Sequence, residues 1–142
     1  MQQQSAISVL LADDDDDDCF IFREVLKEIA ITTRLFTVSD GIELMNFLAI
    51  NQLPAVLFLD LNMPKKNGIE CLTEIKSRME LQNLAVVIFS TSFDESTLNQ
   101  LYKNGASYHI RKPADFEELK QVIGNTLELV QSNSLLKIKK FN

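Results

Sequence analysis

Apolar residues in this chain follow two alternating patterns. Short, mainly apolar runs stand at 7–12 (ISVLLA), 34–38 (RLFTV), 55–60 (AVLFLD), 85–90 (AVVIFS) and 107–110 (SYHI), lengths that suit buried strands. Between them apolar positions recur at helical spacing: Phe22, Val25, Leu26 and Ile29, then Ile42, Met45 and Leu48, then Ile69, Leu72 and Ile75. A last helical face carries Phe116, Leu119, Val122 and Ile123. Asp40-Gly41 and Asn67-Gly68 turn the chain into helices, Asn104-Gly105 ends the helix after the fourth strand, and Lys112-Pro113 introduces the last one.

Strands apolar on both faces, each followed by an amphipathic helix, predict a parallel sheet covered on both sides with right-handed crossovers. The expected fold class is α/β: a doubly wound, five-stranded, flavodoxin-like sheet in the order 2-1-3-4-5. Residues 1–131 are expected to form a single domain, and 132–142 (SNSLLKIKKFN) a mobile, mildly basic tail.

Charge changes this picture in one place only. The net charge is −6, residues 13–18 are six consecutive aspartates, and the rest of the chain balances 14 acidic against 14 basic residues. No basic stripe stands out, which argues against nucleic-acid binding. Cys19 and Cys71 are too few and too far apart for a disulfide framework or a zinc site, and they fit a reducing compartment. No run approaches the roughly 20 apolar residues of a membrane span. The start MQQQSAIS lacks the basic and apolar parts of a signal peptide. The expectation is a cytoplasmic protein with no membrane contact.

In an open parallel sheet, ligands bind beyond the carboxyl ends of the strands, where the strand order reverses. The first strand ends in Asp13-Asp14, the third in Asp60 and the fourth in Ser90-Thr91, while Lys112 follows the fifth. The second strand adds nothing charged, as an edge strand would. Hard oxygen ligands suit Mg²⁺, with Mn²⁺ as the alternative, and a dication would let the three carboxylates ionise together. Lys112 adds a fixed positive charge for an anion brought by a partner. Such a pocket is equipped for phosphoryl transfer. Any of the carboxylates could attack phosphorus to form an acyl phosphate, and spacing leaves the choice open.

Four stretches then resemble the response-regulator receiver domain, over about residues 6 to 130: VLLADDD, LDLNMPKKNG, IFST and GASYHIRKP. The resemblance implies that Asp60 is the phosphoacceptor, served by a histidine kinase or a histidine phosphotransfer protein. It implies Asp13, Asp14, Asp60 and the backbone carbonyl of Asn62 as the Mg²⁺ ligands. Ser90, Thr91 and Lys112 would contact the phosphoryl oxygens, with Ser90 swinging to meet them after transfer. Lys112-Pro113 would be a cis peptide, and Asn62 and Ser92 would sit near the attacking water. The expected protein is a stand-alone receiver, not an enzyme, with slow self-dephosphorylation left open. Its readout would be a partner-binding face of helix four, strand five and helix five, where Leu98, Leu101, Tyr102 and His109 are candidates to change exposure. The downstream protein is not identified by the sequence, and dimerisation through the same face stays open.

Two positions depart from the family pattern. His109 stands where receivers commonly carry the Tyr or Phe of the switch; it serves either as a smaller, titratable switch ring or as a half-exposed strand residue. Thr91 is bulkier than the Ala or Gly often found there and is expected to slow access to Asp60. In the aspartate run, Asp15 to Asp18 suit N-capping and the helix dipole, with Asp16 and Asp17 solvated. A kinase contact at Asp18 is the secondary reading. Ser92-x-x-Glu95 reads as a capping box for the fourth helix.

The competing function is a metal-dependent phosphatase of haloacid-dehalogenase type, built on Asp13-x-Asp15. It would leave Asp60 without a task. A flavin or nucleotide binder is disfavoured, because no glycine-rich loop follows the first strand and six aspartates would repel phosphate.

Overall fold

A computed structural model describes residues 6–91 and 93–132. The elements run β1 (Ile7–Ala12), α1 (Asp16–Glu28), β2 (Thr33–Val38), α2 (Gly41–Ile50), β3 (Val56–Leu59), α3 (Gly68–Ser77), β4 (Val86–Ser90), α4 (Glu95–Lys103), β5 (Tyr108–Arg111) and α5 (Phe116–Gln131). A single 3-10 turn, Met79–Leu81, precedes β4. All pairings are parallel, and the order is β2-β1-β3-β4-β5, as the alternation of patterns implied.

The central strands divide their side chains between two cores with the period of two that a pleated strand requires. Leu10, Ala12, Leu57, Leu59, Val86 and Ile88 face Leu44 and Leu48 of α2, Leu72 and Ile75 of α3, and Leu101 of α4. Val9, Leu11, Val56, Phe58, Val87 and Phe89 face Phe22, Val25 and Leu26 of α1, with Leu119, Ile123 and Leu127 of α5. Every residue of β3 and β4 is buried. At the edge, β2 buries only Val38 fully, so its apolar run is not two-sided.

Helix starts are set by side-chain caps. Asp15 caps α1, Asp40 caps α2, Asn67 and Glu70 form a capping box on α3, and Asp115 caps α5. The capping box expected at Ser92 and Glu95 is not what starts α4: Asp94 caps it, its carboxylate accepting from the Thr97 N–H at 2.7 Å. Asp and Ser cap about equally well, so the position of the first turn decides between them. Ser92 lies outside the described residues, as does the expected tail from residue 133 onward. Gly105, at φ 106°, takes the left-handed turn after α4. The Lys112–Pro113 bond is trans, contrary to the family-based expectation. The intrinsic trans preference before proline is only about 0.5–1 kcal/mol, so surrounding structure selects the isomer.

The loop from β3 to α3 brings a helix start hard against a strand end. Gly68 donates its N–H to the Leu61 carbonyl at 3.0 Å. A Cβ at Gly68 would lie 2.5 Å from the Asp60 carbonyl oxygen and 2.8 Å from Leu61 Cα. The two nearest atoms are backbone and cannot yield as the end of a flexible side chain would. Gly68→Ala should therefore lower stability by about 1–3 kcal/mol, the usual range for overpacking, read as a lower urea midpoint. An unchanged midpoint would show that α3 retreats freely from the strand.

Candidate functional site

Strand order and register assemble the site. Ala12 of β1 pairs with Leu59 of β3, and Leu59 with Ile88 of β4, so Asp13 and Asp60 leave neighbouring strand ends together. The ladder continues past the strands: Asp60 donates its N–H to the Ala12 carbonyl at 3.0 Å, and Lys112 donates to the Ser90 carbonyl at 2.8 Å. Asp13, Asp60 and Ser90 are buried, with 1%, 6% and 0% of their surface exposed. Asp14 stands exposed beside them.

Lys112 is the hub. Its ammonium donates to Asp13 Oδ2 at 2.7 Å, Asp18 Oδ2 at 2.9 Å and Asp60 Oδ2 at 3.4 Å. The ammonium also lies 5.3 Å from the centre of the Phe89 ring, within cation–π range. Asp13 is held on both oxygens, since its Oδ1 accepts from the Asp15 N–H at 3.0 Å. Asp60 is held more loosely. Its Oδ1 accepts from the Asn62 N–H at 3.2 Å and from Ser90 Oγ at 3.3 Å. Asn62 is exposed beyond Asp60, and Thr91 is exposed beyond β4 with its carbonyl accepting from Arg111 at 3.4 Å.

The aspartate run splits as its helix demands. Asp15 accepts from the N–H groups of Asp17 and Asp18 and closes the first turn, while Asp16 and Asp17 are exposed. Asp18 lies in the first turn, as the helix-dipole reading placed it, and its side chain also turns inward to Lys112. A signal for this existed, because an N-cap at Asp15 puts Asp18 three residues on, on the same side of the first turn. The partner, however, lies 94 residues away in sequence.

Three carboxylate oxygens, one each from Asp13, Asp14 and Asp60, lie within 4.8 Å of one another. With Asp18 the cluster has four carboxylates against one ammonium, a deficit of positive charge. Burial pushes the Asp13 carboxyl up to about 6, against the lowering pull of the Lys112 and Asp15 hydrogen bonds. Burial disfavours the Lys112 ammonium, but its bonds to Asp13 and Asp18 outweigh this and hold it well above the usual lysine value. The hard oxygen donors and the missing charge fit a divalent cation.

On the far side of β4, His109 sits half-buried in β5 among rings. Its Nδ1 lies 2.6 Å from the Tyr102 hydroxyl, and Phe93 and Tyr102 each stand edge-on at 5.5 Å. Burial, helped by Arg111, lowers the imidazole below its ordinary value, and burial pushes Tyr102 up to about 12. Both groups are thus neutral, and the tautomer of His109 sets which of the two donates. Leu98 and Tyr102 are half-buried, whereas Leu101 belongs wholly to the core.

This arrangement can be set beside known proteins. The family pattern described as response regulator receiver domain matches residues 9–124. The chain belongs to the response regulator receiver domain family. It is 31% identical over 121 residues to the response regulator Rcp1 of Synechocystis, covering 81% of this chain and 82% of Rcp1. The crystal structure of the phosphorylated cyanobacterial phytochrome response regulator RcpA superposes with a TM-score of 0.83 at 32% identity, covering 91% of this receiver and 96% of RcpA. The Mn²⁺-bound form of Rcp1 does so with 0.77 at 28% identity, covering 96% and 99%. Receiver domains take phosphoryl groups from histidine kinases or phosphotransfer proteins. The haloacid-dehalogenase alternative has no support: Asp15, its second carboxylate, faces the backbone of α1 instead of Asp13's neighbours. Among the described residues no helix is long and apolar enough to cross a membrane.

The raised Asp13 carboxyl has a pH signature. Its folded value lies above the roughly 3.9 of an unfolded aspartate, so the folded receiver holds an extra proton between about pH 4 and 6. That contribution to metal-free stability is present below the unfolded value and is lost as pH rises through about 6. A dication prefers the ionised form, so its binding slopes the other way. The apparent Mn²⁺ affinity should rise about tenfold from pH 5 to pH 7 and then level off, measured by titration calorimetry. A flat profile would show that Asp13 takes no part in holding the cation.

Proposed function

We propose that this receiver takes a phosphoryl group from a phosphohistidine, on a histidine kinase or a histidine phosphotransfer protein, onto a carboxylate oxygen of Asp60. The observation that carries the reading is the contrast between the two buried carboxylates. Both oxygens of Asp13 are occupied by bonds of 2.7 and 3.0 Å, whereas the three contacts of Asp60 are all 3.2–3.4 Å. Contacts that long leave the lone pairs of Asp60 available to a phosphorus atom while still fixing the direction of the carboxylate. With a short bond on each oxygen, Asp13 is the poorer nucleophile and the better anchor.

In the transfer, an Asp60 oxygen forms a bond to phosphorus and the phosphorus–nitrogen bond breaks. The imidazole nitrogen keeps the electron pair and takes a proton from solvent. A Mg²⁺ ion held by Asp13, Asp14, Asp60 and the Asn62 carbonyl would neutralise charge on the phosphoryl group. Lys112, protonated throughout, supplies the second positive charge. Ser90 already donates to Asp60 at 3.3 Å, so a small rotation brings its hydroxyl to a phosphoryl oxygen. Thr91 follows it at the rim, where its bulk limits access of donor and water to Asp60.

The new dianion then biases the face of α4, β5 and α5 between two states, and a partner protein reads the difference. His109 is the reporting ring on that face, tethered to α4 by its bond with Tyr102. The two free thiols, Cys19 and Cys71, suit a reducing cytoplasm.

Incubation with acetyl phosphate and Mg²⁺ should add the mass of one phosphoryl group, and the gain should vanish in Asp60→Asn and after chelation. Labelling that survives Asp60→Asn but is lost in Asp13→Asn would overturn the assignment of the acceptor.

A further inference from the structure

An ammonium has three N–H donors, and those of Lys112 are all engaged. The distances rank the partners as Asp13, Asp18 and Asp60, at 2.7, 2.9 and 3.4 Å. The carboxylate proposed to react therefore has the weakest hold on the lysine that should assist it. Asp13 cannot release Lys112 without stranding a carboxylate whose side chain is 0% exposed. Asp18 can, because its side chain is 34% exposed at the rim and water can replace the ammonium.

Asp18 is also held in place. The Asp15 cap fixes the turn that carries it. One turn on, Phe22 packs edge-on against Phe58 at 5.1 Å and Phe89 at 5.7 Å, which sets the rotation of α1. The Lys112 ammonium rests near that same Phe89 ring.

We infer that Asp18 is a positioning residue for phosphoryl transfer, drawing the Lys112 ammonium away from Asp60 until an incoming phosphoryl group competes for it. The inference rests on Asp60 being the acceptor. Phosphoryl oxygens and the Asp18 carboxylate carry the same sign of charge and want the same donor. While Asp18 holds that donor, the donor molecule meets an extra negative charge and a lysine that is turned aside. With acetyl phosphate, the Asp60 oxygen–phosphorus bond forms and the bond from phosphorus to the acetyl oxygen breaks. Acetate leaves with the electron pair, and no proton moves.

The test compares phosphorylation rates of the full chain at limiting acetyl phosphate and saturating Mg²⁺, followed by intact mass. Asp18→Asn keeps the size of the side chain and one acceptor but removes the charge; it should react roughly three- to tenfold faster. Asp18→Glu should return the rate towards that of the natural chain. Asp17→Asn removes an equal charge from the same exposed turn without touching Lys112, and should change the rate by less than about twofold. High salt should leave the Asp18→Asn gain in place, since a direct contact is screened far less than a distant charge. In the unphosphorylated protein, the Lys112 side-chain NMR signals should shift in Asp18→Asn and not in Asp17→Asn. A rate in Asp18→Asn no higher than that of the natural chain, or a rise matched by Asp17→Asn, overturns the inference and leaves Asp60 as acceptor. Failure of the natural chain to gain a phosphoryl group, or a gain that Asp60→Asn retains, defeats the proposed function and this inference with it.

Discussion

The Lys112 ammonium is the interaction on which the carboxyl edge of this sheet depends. It joins the end of β1 through Asp13, the first turn of α1 through Asp18 and the end of β3 through Asp60, from a position just beyond β5. Breaking a buried ion pair by removing one partner typically costs about 3–5 kcal/mol, because the charge left behind has lost both water and its counter-ion. Asp13, with no exposed side-chain surface, is the residue most exposed to that penalty. An arrangement that merely maximised stability would pair every carboxylate; here the acidic excess is left open to a cation.

The hydrophobic frame makes such a site affordable. Phe22, Phe58 and Phe89 meet edge to face directly beneath it, with ring centres 5.1–5.9 Å apart. That aromatic floor comes from three different elements, α1, β3 and β4, so the strand ends that carry Asp60 and Ser90 are fixed relative to the helix that carries Asp18. Close packing transmits small displacements instead of absorbing them. The polar groups above can therefore sit at long hydrogen-bond distances without losing their direction.

A chain of direct contacts leads from this edge to the His109 face. Ser90 bonds Asp60, Thr91 follows Ser90, and Arg111 donates to the carbonyls of Thr91 and Phe93. The guanidinium of Arg111 lies 4.8 Å from the centre of the Phe93 ring, and Phe93 stands edge-on to His109. The bond between Tyr102 and His109 then ties β5 to α4. Ser90, Arg111, Phe93 and Tyr102 thus lie in one contiguous set of contacts between Asp60 and His109.

Much of this was legible without coordinates, for a physical reason. Strand and helix periods are local properties of the chain, and a parallel sheet built from them has few allowed orders, so the convergence of Asp13, Asp14, Asp60, Ser90 and Lys112 follows from short-range patterns and topology rules. The cap at Asp15 and the exposure of Asp16 and Asp17 are local in the same sense. Tertiary structure decided the rest: that Asp18 turns to a lysine 94 residues away, that Tyr102 bonds His109, that Asp94 starts α4, and that Lys112–Pro113 is trans. Each of these depends on how far a helix is rotated or where a turn closes against its neighbours. Such quantities differ by only a kcal/mol or so between alternatives, and the packing of the whole chain selects among them.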